Sequence, residues 1–248
     1  MVDIHAHILP GIDDGAEDMS SALEMAALAV ESGVDIIVAT PHSAAHGRQK
    51  NHCGPELSEA LQSFRAAVNK ARIPLHICGG MEIFGSFEVP ELLMEGKMQG
   101  LNGSRYPLVE FAFTDYAAEA TEILEEIIAI GLRPVVAHPE RYVYVQEDPT
   151  LLNLWVGMGC LLQVNKGSLL GRHGRREEQL ALALVERGFV CAVASDAHSP
   201  VMRTTWLKEA ESLLTEEFSA STAKRLLTQN PLTLLKNEEI RLREPDWF

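Results

Sequence analysis

Short apolar runs, each followed by an amphipathic stretch, recur about seven times along this chain of 248 residues. The runs are rich in Val, Ile and Leu, and most lack polar alternation until their last residues, which suits strands buried on both faces of a parallel sheet. They cover residues 2–7, 35–41, 75–82, 107–111, 134–138, 161–165 and 191–196. Strands that alternate with helices in this way predict a parallel α/β architecture. The periodicity leaves open whether the sheet closes into a barrel.

The amphipathic stretches between the runs predict helices. They cover residues 20–32, 55–71, 117–130, 150–158, 176–187 and 206–214, and the tail is expected to add helices at 220–227 and 231–236. Gly33, Gly131 and Gly188 directly follow three of these stretches, as glycine often does at the carboxyl end of a helix. A single βα-barrel has about 250 residues, so we expect one domain over residues 1–248 with C-terminal helices at about 219–240.

The composition argues against several classes of partner and location. A formal net charge of −14 disfavours non-specific binding to nucleic acid or anionic lipid, which requires a basic surface. No apolar run approaches the roughly 20 residues that cross a bilayer, and the first residues lack the features of a signal peptide. The four cysteines show no paired spacing, so we expect free thiols in a reducing compartment, the cytoplasm.

The carboxyl ends of the predicted strands carry His, Asp and Glu side chains, except for the sixth, which ends in Gln163-Val164-Asn165. Parallel α/β folds place their active sites at this edge of the sheet. His5 and His7 are two residues apart, so on a strand their side chains share one face. The candidate metal ligands are His5, His7, Asp14, His42, Glu82, Glu110, His138, Asp196 and His198. This number suits two or three divalent ions, and adjacent divalent ions suit displacement at phosphorus.

A phosphoester substrate also requires cationic side chains that meet its non-bridging oxygens. Arg141, three residues past His138, and Arg203, five residues past His198, are the expected catalytic and phosphate-binding groups. A guanidinium suits this role because its planar fork matches phosphate oxygens bidentately. Arg172 is a weaker candidate for substrate binding. None of the four cysteines has an Arg six residues further on, as Cys-dependent phosphatases need, which favours a metal-dependent reaction.

Motifs from one end of the chain to the other occur in a specific order. They are Asp3-Ile4-His5-Ala6-His7, Asp13-Asp14-Gly15, Thr40-Pro41-His42, Gly80-Met81-Glu82, Val109-Glu110-Phe111, Ala137-His138-Pro139-Glu140-Arg141, Gly167-Ser168-Leu169-Leu170-Gly171 and Ser195-Asp196-Ala197-His198. This set resembles the polymerase-and-histidinol-phosphatase (PHP) superfamily. Within it, the chain is most similar to the bacterial protein-tyrosine phosphatases of capsule and exopolysaccharide operons, the CpsB/CapC/YwqE type.

The resemblance implies a distorted (β/α)7 TIM-like barrel, the PHP fold, that holds up to three divalent ions. Mn²⁺ is the expected metal, with Fe, Zn, Co or Mg as alternatives. The implied ligand sets are His5, His7, Glu82 and Asp196 for one ion, Glu82, Glu110 and His138 for a second, and Asp14, His42 and His198 for a third. The implied activity is hydrolysis of phosphotyrosine by a metal-activated water. The implied protein substrate is a bacterial tyrosine kinase of polysaccharide synthesis or export.

The chain departs from that pattern at two places. Relatives often have a second His after the Thr-Pro-His motif, whereas Ser43 stands here, and the loop over residues 43–53 looks atypical, which leaves its contact with substrate open. Lys166 stands before Gly167, where the resemblance predicts a small residue. We take Lys166 as a candidate for substrate binding through the phosphate, with a solvated position as the alternative.

Three other functions remain as alternatives. The first is a PHP phosphatase that acts on a small metabolite such as histidinol phosphate. The second is a metal-dependent amidohydrolase, which would need a metal-bridging Lys or a further His at a strand end, and Lys166 follows the sixth predicted strand. The third is a metal-binding PHP module without catalytic activity. The sequence does not indicate the oligomeric state.

Overall fold

Eight short parallel strands form the frame of the protein in the computed structural model, which describes residues 1–43, 51–114, 117–242 and 244–248. The strands are β1 Val2–Ala6, β2 Ile36–Ala39, β3 His76–Gly79, β4 Glu82–Phe84, β5 Leu108–Glu110, β6 Val135–Ala137, β7 Leu161–Asn165 and β8 Val190–Ala194. They form two sheets with the strand orders β1-β2-β3 and β4-β5-β6-β7-β8. The predicted parallel α/β architecture is therefore confirmed.

Two isolated parallel bridges bring the sheets together at both edges. Ala6 pairs with Ala197, just past β8, and His42 pairs with Glu82 at the start of β4. Backbone hydrogen bonds accompany the first bridge, since His7 N donates to Ala197 O over 2.8 Å. A sheet that meets itself in this way has the arrangement of a distorted barrel.

The third predicted run, residues 75–82, forms two strands and not one. β3 ends at Gly79 and β4 begins at Glu82, and the two strands belong to different sheets. Gly80 N donates to Ala39 O, so the chain still follows β2 at the break. A Cβ at Gly80 would lie 3.0 Å from Cγ1 of Val38, closer than side chains ordinarily approach. The small residue lets the backbone pass close to β2 before β4 joins β5.

Helices connect the strands and cover the sheets. They are α1 Met19–Glu31, α2 Pro55–Lys70, α3 Val89–Met94, α4 Ala117–Ala129, α5 Val143–Glu147, α6 Leu151–Met158, α7 Lys166–Leu169, α8 Arg175–Arg187, α9 Lys208–Glu217, α10 Ala220–Lys224 and α11 Asn230–Leu235, with a π-helical turn at Arg225–Gln229 and 3-10 turns at Leu101–Gly103 and Pro139–Arg141. Helices α3, α5 and α7 were not predicted, because so few residues show no helical periodicity. Gly33, Gly131 and Gly188 have φ of 90°, 86° and 83°, the left-handed conformation expected after a helix.

Apolar side chains from seven of the strands form a cluster beneath the carboxyl ends of the strands. Leu234 and Leu235 of α11 and Ile240 belong to the same cluster, so the C-terminal segment packs against it. A second and larger cluster joins the strands to the surrounding helices. Within the described residues, no helix combines the length and the apolar character needed to cross a membrane.

The loop that follows β1 passes very close to the strand end. Ala16 N donates to His7 O over 3.0 Å, and a Cβ at Gly15 would lie only 2.0 Å from the same carbonyl oxygen. Gly15 N also donates to Oδ1 of Asp13 over 3.0 Å. Only a residue without a side chain fits at this position of the loop.

We predict that Gly15→Ala lowers the free energy of unfolding by about 1–3 kcal/mol, because overpacking against rigid backbone forces the loop away from β1. Thermal denaturation followed by circular dichroism measures the change. Gly157→Ala is the matched control, since a Cβ at Gly157, inside α6, meets nothing within 4 Å. The control should keep or raise the melting temperature. Equal melting temperatures for Gly15→Ala and the wild type would contradict the prediction.

Candidate metal centre

All nine predicted metal ligands lie in one connected cluster, at or after the carboxyl ends of strands except for Glu82. Glu82 was predicted at the end of the third strand and is instead the first residue of β4. Their nitrogen and oxygen atoms form four overlapping groups in which every member lies within 4.8 Å of the others. The groups are His7, Asp14, His42 and His198; His5, His7 and Asp196; His5, Glu82 and His138; and His42, Glu82 and Glu110. The sequence prediction that these distant residues converge is therefore matched by the structure.

Glu82 lies at the centre of the cluster. Its Oε1 is 3.1 Å from Nε2 of His5 and 2.9 Å from Nε2 of His138. Its Oε2 is 3.0 Å from Nε2 of His7 and 3.2 Å from Nδ1 of His42. The side chain is only 1% exposed. One buried carboxylate thus contacts four imidazoles.

The imidazole of His42 connects Glu82 to the outer part of the cluster. Its Nδ1 lies 2.9 Å from Glu110, and its Nε2 lies 3.4 Å from Asp14. Asp14 also lies 3.5 Å from Nε2 of His198. Since the Asp14 side chain is 63% exposed, the cluster opens to solvent on this side. The family resemblance implied that His42 binds one ion only. In the structure His42 belongs to two of the four groups, one with His7, Asp14 and His198 and one with Glu82 and Glu110.

The buried imidazoles and carboxylates of the cluster shift one another's pKa values. Burial by itself lowers the pKa of His5, but the carboxylates of Glu82 and Asp196 outweigh it and raise that pKa to about 9. Burial raises the pKa of Glu82, but His5 and the neighbouring imidazoles hold it well below its usual range. His5 is therefore protonated at neutral pH when no cation balances the carboxylates.

This donor set fits divalent cations. Nε2 of His5 and Nε2 of His7 face each other at 3.3 Å, and at most one of two such nitrogens can donate a hydrogen bond to the other. A cation between them and the oxygens of Glu82 would satisfy both nitrogens. Imidazole and carboxylate ligands suit Mn²⁺, Fe²⁺ and Zn²⁺.

Asp13 fixes the orientation of two imidazole-bearing residues. Its Oδ2 lies 2.7 Å from Nδ1 of His7 and accepts a hydrogen bond from the backbone N of His42 over 3.0 Å. Histidine ligands of metals almost always use the second ring nitrogen in this way. Of the motif Asp13-Asp14-Gly15, only Asp14 was predicted to have a role in the site.

The amides at the end of β7 have a similar orienting position, which was not predicted from the sequence. Oε1 of Gln163 lies 2.8 Å from Nδ1 of His5. Nδ2 of Asn165 donates to Oδ2 of Asp196 over 2.6 Å. The two residues are two apart on a strand and so face the same side. That spacing was the available signal, but amides are weak metal ligands and were set aside for that reason.

Both predicted arginines reach one carboxylate of the cluster. Nη2 of Arg203 lies 2.6 Å and Nη1 of Arg141 lies 3.3 Å from Oδ2 of Asp196. Oδ1 of Asp196 faces His5 at 3.5 Å. The guanidinium of Arg141 also stacks over the ring of Phe113, with Cζ 4.4 Å from the ring centroid. The two cations therefore border the cluster through Asp196.

Backbone strain is concentrated at the same place. His138, Asp196 and Arg203 have φ of 35°, 49° and 51°, and they are three of the six non-glycine residues with positive φ in the described part of the chain. Such conformations cost energy in side-chain-bearing residues and are typical of functional sites.

The structure does not bring Arg172 and Lys166 to this cluster. A surface ion pair joins Arg172 to Glu209. Lys166 is buried, and its Nζ donates to the backbone carbonyls of Thr204 and, over 2.8 Å, Trp206. Lys166 is therefore not placed as the metal-bridging lysine that an amidohydrolase would need.

The loop after β2 was singled out as atypical. Ser43 is buried, and its Oγ accepts a hydrogen bond from the backbone N of Phe84 over 3.1 Å. This serine therefore ties β2 to β4. The prediction about the rest of that loop concerns in part residues 44–50, which lie outside the described residues.

Known proteins with similar sequences include tyrosine-protein phosphatases from two bacteria. A tyrosine-protein phosphatase named YwqE from Bacillus subtilis is 38% identical over 245 residues, which cover 99% of this chain and 95% of the relative. The tyrosine-protein phosphatase CpsB from Streptococcus pneumoniae is 29% identical over 97% of this chain and all of the relative.

Solved structures agree with these relatives. A crystal structure from work on YwqE of Bacillus subtilis and CpsB of Streptococcus pneumoniae, described as metal-dependent tyrosine phosphatases, superposes with a TM-score of 0.93. It is 37% identical and covers 100% of this chain and 99% of its own. A lactonase from Listeria monocytogenes, 13% identical with a TM-score of 0.59 over 96% of this chain and 95% of its own, shares the fold alone.

The model of one protein family matches residues 1–236, and that family is described as capsular polysaccharide synthesis, CpsB/CapC. The match covers nearly the whole chain and contains every residue of the cluster. This chain therefore belongs to the CpsB/CapC family.

Proposed function

We propose that this protein is a metal-dependent protein-tyrosine phosphatase, a phosphoric monoester hydrolase. The observation that carries the proposal is the contact of Arg141 and Arg203 with a carboxylate of the imidazole and carboxylate cluster. The proposed cation ligands and the proposed phosphate-binding groups thus lie side by side. The relatives YwqE and CpsB are named tyrosine-protein phosphatases, which supports the same activity.

The cluster would hold two or three divalent ions, with Mn²⁺ the expected metal. The ligands would be His5, His7, Asp14, His42, Glu82, Glu110, His138, Asp196 and His198. When bound, such ions neutralise phosphoryl oxygens and activate the attacking water. Asp13, Gln163 and Asn165 would hold the ligands in place through their hydrogen bonds.

The arginines would bind and orient the phosphoryl group. Asp196 holds both guanidinium groups near one point, and each group keeps further N–H donors for the non-bridging oxygens of a phosphate. These donors are positioned before substrate arrives, which is how charge that develops in a transition state is best stabilised.

An aromatic phosphate ester suits the remaining geometry. The ring of Phe113 is 37% exposed and stacks on the guanidinium of Arg141, so a substrate phenyl ring would find an aromatic surface beside the phosphate site. The phenol of tyrosine has a pKa of about 10 and leaves without a strong general acid. These features favour phosphotyrosine over alkyl phosphates.

The protein substrate we propose is a bacterial tyrosine kinase of polysaccharide synthesis, in the cytoplasm. The family description supports the pathway. The four cysteines are free, which suits a reducing compartment.

The activity is tested with para-nitrophenyl phosphate, a phosphotyrosine peptide and histidinol phosphate, each assayed with added Mn²⁺ and after chelation. We expect turnover of both aryl phosphates, its loss on chelation and its return when Mn²⁺ is restored. Full activity of a chelated sample would refute the metal requirement. Preferential turnover of histidinol phosphate would instead favour the small-metabolite phosphatase, and metal binding without any turnover would indicate a non-catalytic module.

Glu82→Gln tests the centre of the cluster. The amide keeps the shape of the side chain but loses the charge that four imidazoles share. We expect bound metal to fall and kcat/KM to drop by more than about 100-fold, since removing mere supporting partners of a metal ligand already costs about 10- to 100-fold. Metal content by elemental analysis and turnover are measured together. Glu95→Gln, at a surface pair with Lys97, is the control and should change neither.

Metal binding should release protons. The pKa of His5 is about 9 in the cluster without metal, so at pH 7.5 this imidazole carries a proton that a cation must displace. We expect titration of the chelated protein with Mn²⁺ at pH 7.5 to give different calorimetric enthalpies in Tris and in HEPES, because the released protons ionise the buffer. Above pH 9 His5 is already deprotonated, so its contribution to the proton release should vanish. Identical enthalpies in the two buffers would contradict this protonation state.

A further inference from the structure

Lys166, the first residue of α7, has a buried ammonium group that the proposed mechanism does not use. The side chain is 1% exposed. Nζ donates to the carbonyl oxygens of Thr204 and Trp206, and it lies 3.4 Å from Oγ1 of Thr204. Within the described residues, no carboxylate lies within 4 Å of this amine. Burial lowers the pKa of Lys166 to about 8, and Asp3 offsets part of that effect.

The two carbonyls belong to the segment that follows β8 and carries Arg203. Thr204 is the next residue after Arg203, so the amine of Lys166 contacts the backbone directly beside the arginine. On the other side, the carbonyl of Arg203 accepts a hydrogen bond from His198 N over 2.8 Å. The φ of Arg203 is 51°, a conformation that a side-chain-bearing residue adopts only when its neighbours fix it.

The two residues of this segment that directly precede Arg203 are exposed to solvent and pack against little of the protein. Val201 and Met202, which precede Arg203, are 83% and 76% exposed. Beyond the contacts of Lys166, Thr205 Oγ1 donates to the carbonyl of Met25 over 2.6 Å. Arg203 therefore lies between an exposed tip and an anchored stretch. His198 holds the carbonyl of Arg203 itself, and Lys166 holds the carbonyls of the residues that follow it.

We propose that Lys166 is a positioning residue for Arg203, which fixes the backbone at Thr204 and Trp206 and thereby holds the Arg203 guanidinium where it meets the phosphoryl group. The inference rests on the proposed function, because it gives Arg203 its role. It replaces direct contact between Lys166 and phosphate, since the amine points to the two carbonyls. A small displacement of such a group has a large effect, because an error of about 1 Å can cost about 100-fold in rate.

A double-mutant cycle tests the inference. Lys166→Met removes the donors and keeps an unbranched side chain, and it is made in the wild type and in Arg203→Ala. With the Mn²⁺-loaded protein and para-nitrophenyl phosphate, we expect Lys166→Met to lower kcat/KM by roughly 10- to 100-fold in the wild type. In the Arg203→Ala background it should lower kcat/KM by less than about 2-fold, because residues that act through one another are not additive. Equal fold losses in both backgrounds, or no loss in the wild type, would overturn the proposal.

Binding of inorganic phosphate, measured by calorimetry on the same four proteins, separates this inference from the proposed function. It requires no turnover, so the same non-additive pattern in affinity supports the role of Lys166 even if phosphotyrosine is not hydrolysed. If the wild type binds phosphate and Lys166→Met binds it equally well, the positioning role is wrong.

Two further variants complete the test, one as a matched control and one as a safeguard against a folding defect. Lys208→Met is the matched control, because Lys208 lies four residues past Thr204, is 59% exposed and pairs with Glu211. It should leave kcat/KM and phosphate affinity unchanged. Lys166→Gln keeps two N–H donors, so it should recover part of the affinity for phosphate and show the same dependence on Arg203. If Lys166→Met does not fold, the cycle with Lys166→Gln decides, and additive losses there would equally refute the inference.

Discussion

The buried carboxylate of Glu82 contacts four imidazoles, and this contact constrains how the strand ends that carry the cluster are arranged. A negative charge removed from water is costly unless cations or hydrogen-bond donors surround it. The four histidines come from the ends of β1 and β6 and from the stretch after β2. Their convergence therefore requires that these strand ends lie at one edge, which two sheets joined by bridges provide.

From this centre the contacts extend outward in two directions. Asp196 turns one oxygen toward His5 and the other toward Arg141 and Arg203, so it connects the proposed metal ligands with the proposed phosphate-binding cations. Asn165 donates to the second of these oxygens and fixes its direction. The strained backbone at Asp196 and Arg203 is consistent with a site whose groups are placed in advance of substrate.

Much of this arrangement follows from the sequence, for a definable reason. Parallel strands that alternate with helices must bring their carboxyl ends together, so polar residues at those ends, such as His7 and Glu110, could be placed from the pattern alone. The division into β3 and β4 could not, because Gly80 lies inside an apolar run that reads as one strand. Gln163 was missed because an amide gives no strong signal as a ligand.

The direction in which the Lys166 side chain points could not be predicted from the sequence either. Its partners are backbone carbonyls about 40 residues away, and carbonyls carry no sequence signature. A flexible four-carbon side chain at a strand end can turn toward the site or along the chain, and only the packing between β7 and the segment after β8 decides.

The two-sided contacts of Asp196 also link occupancy at one place to affinity at another. A cation bound on the imidazole side would withdraw negative charge from this carboxylate and weaken its hold on the guanidinium groups, which would then present more of their charge to an incoming anion. Thermodynamic reciprocity requires the converse, so an anion on the arginines tightens retention of the cation by the same factor. Metal and phosphate would then bind cooperatively, with Asp196 as the carboxylate that couples the two.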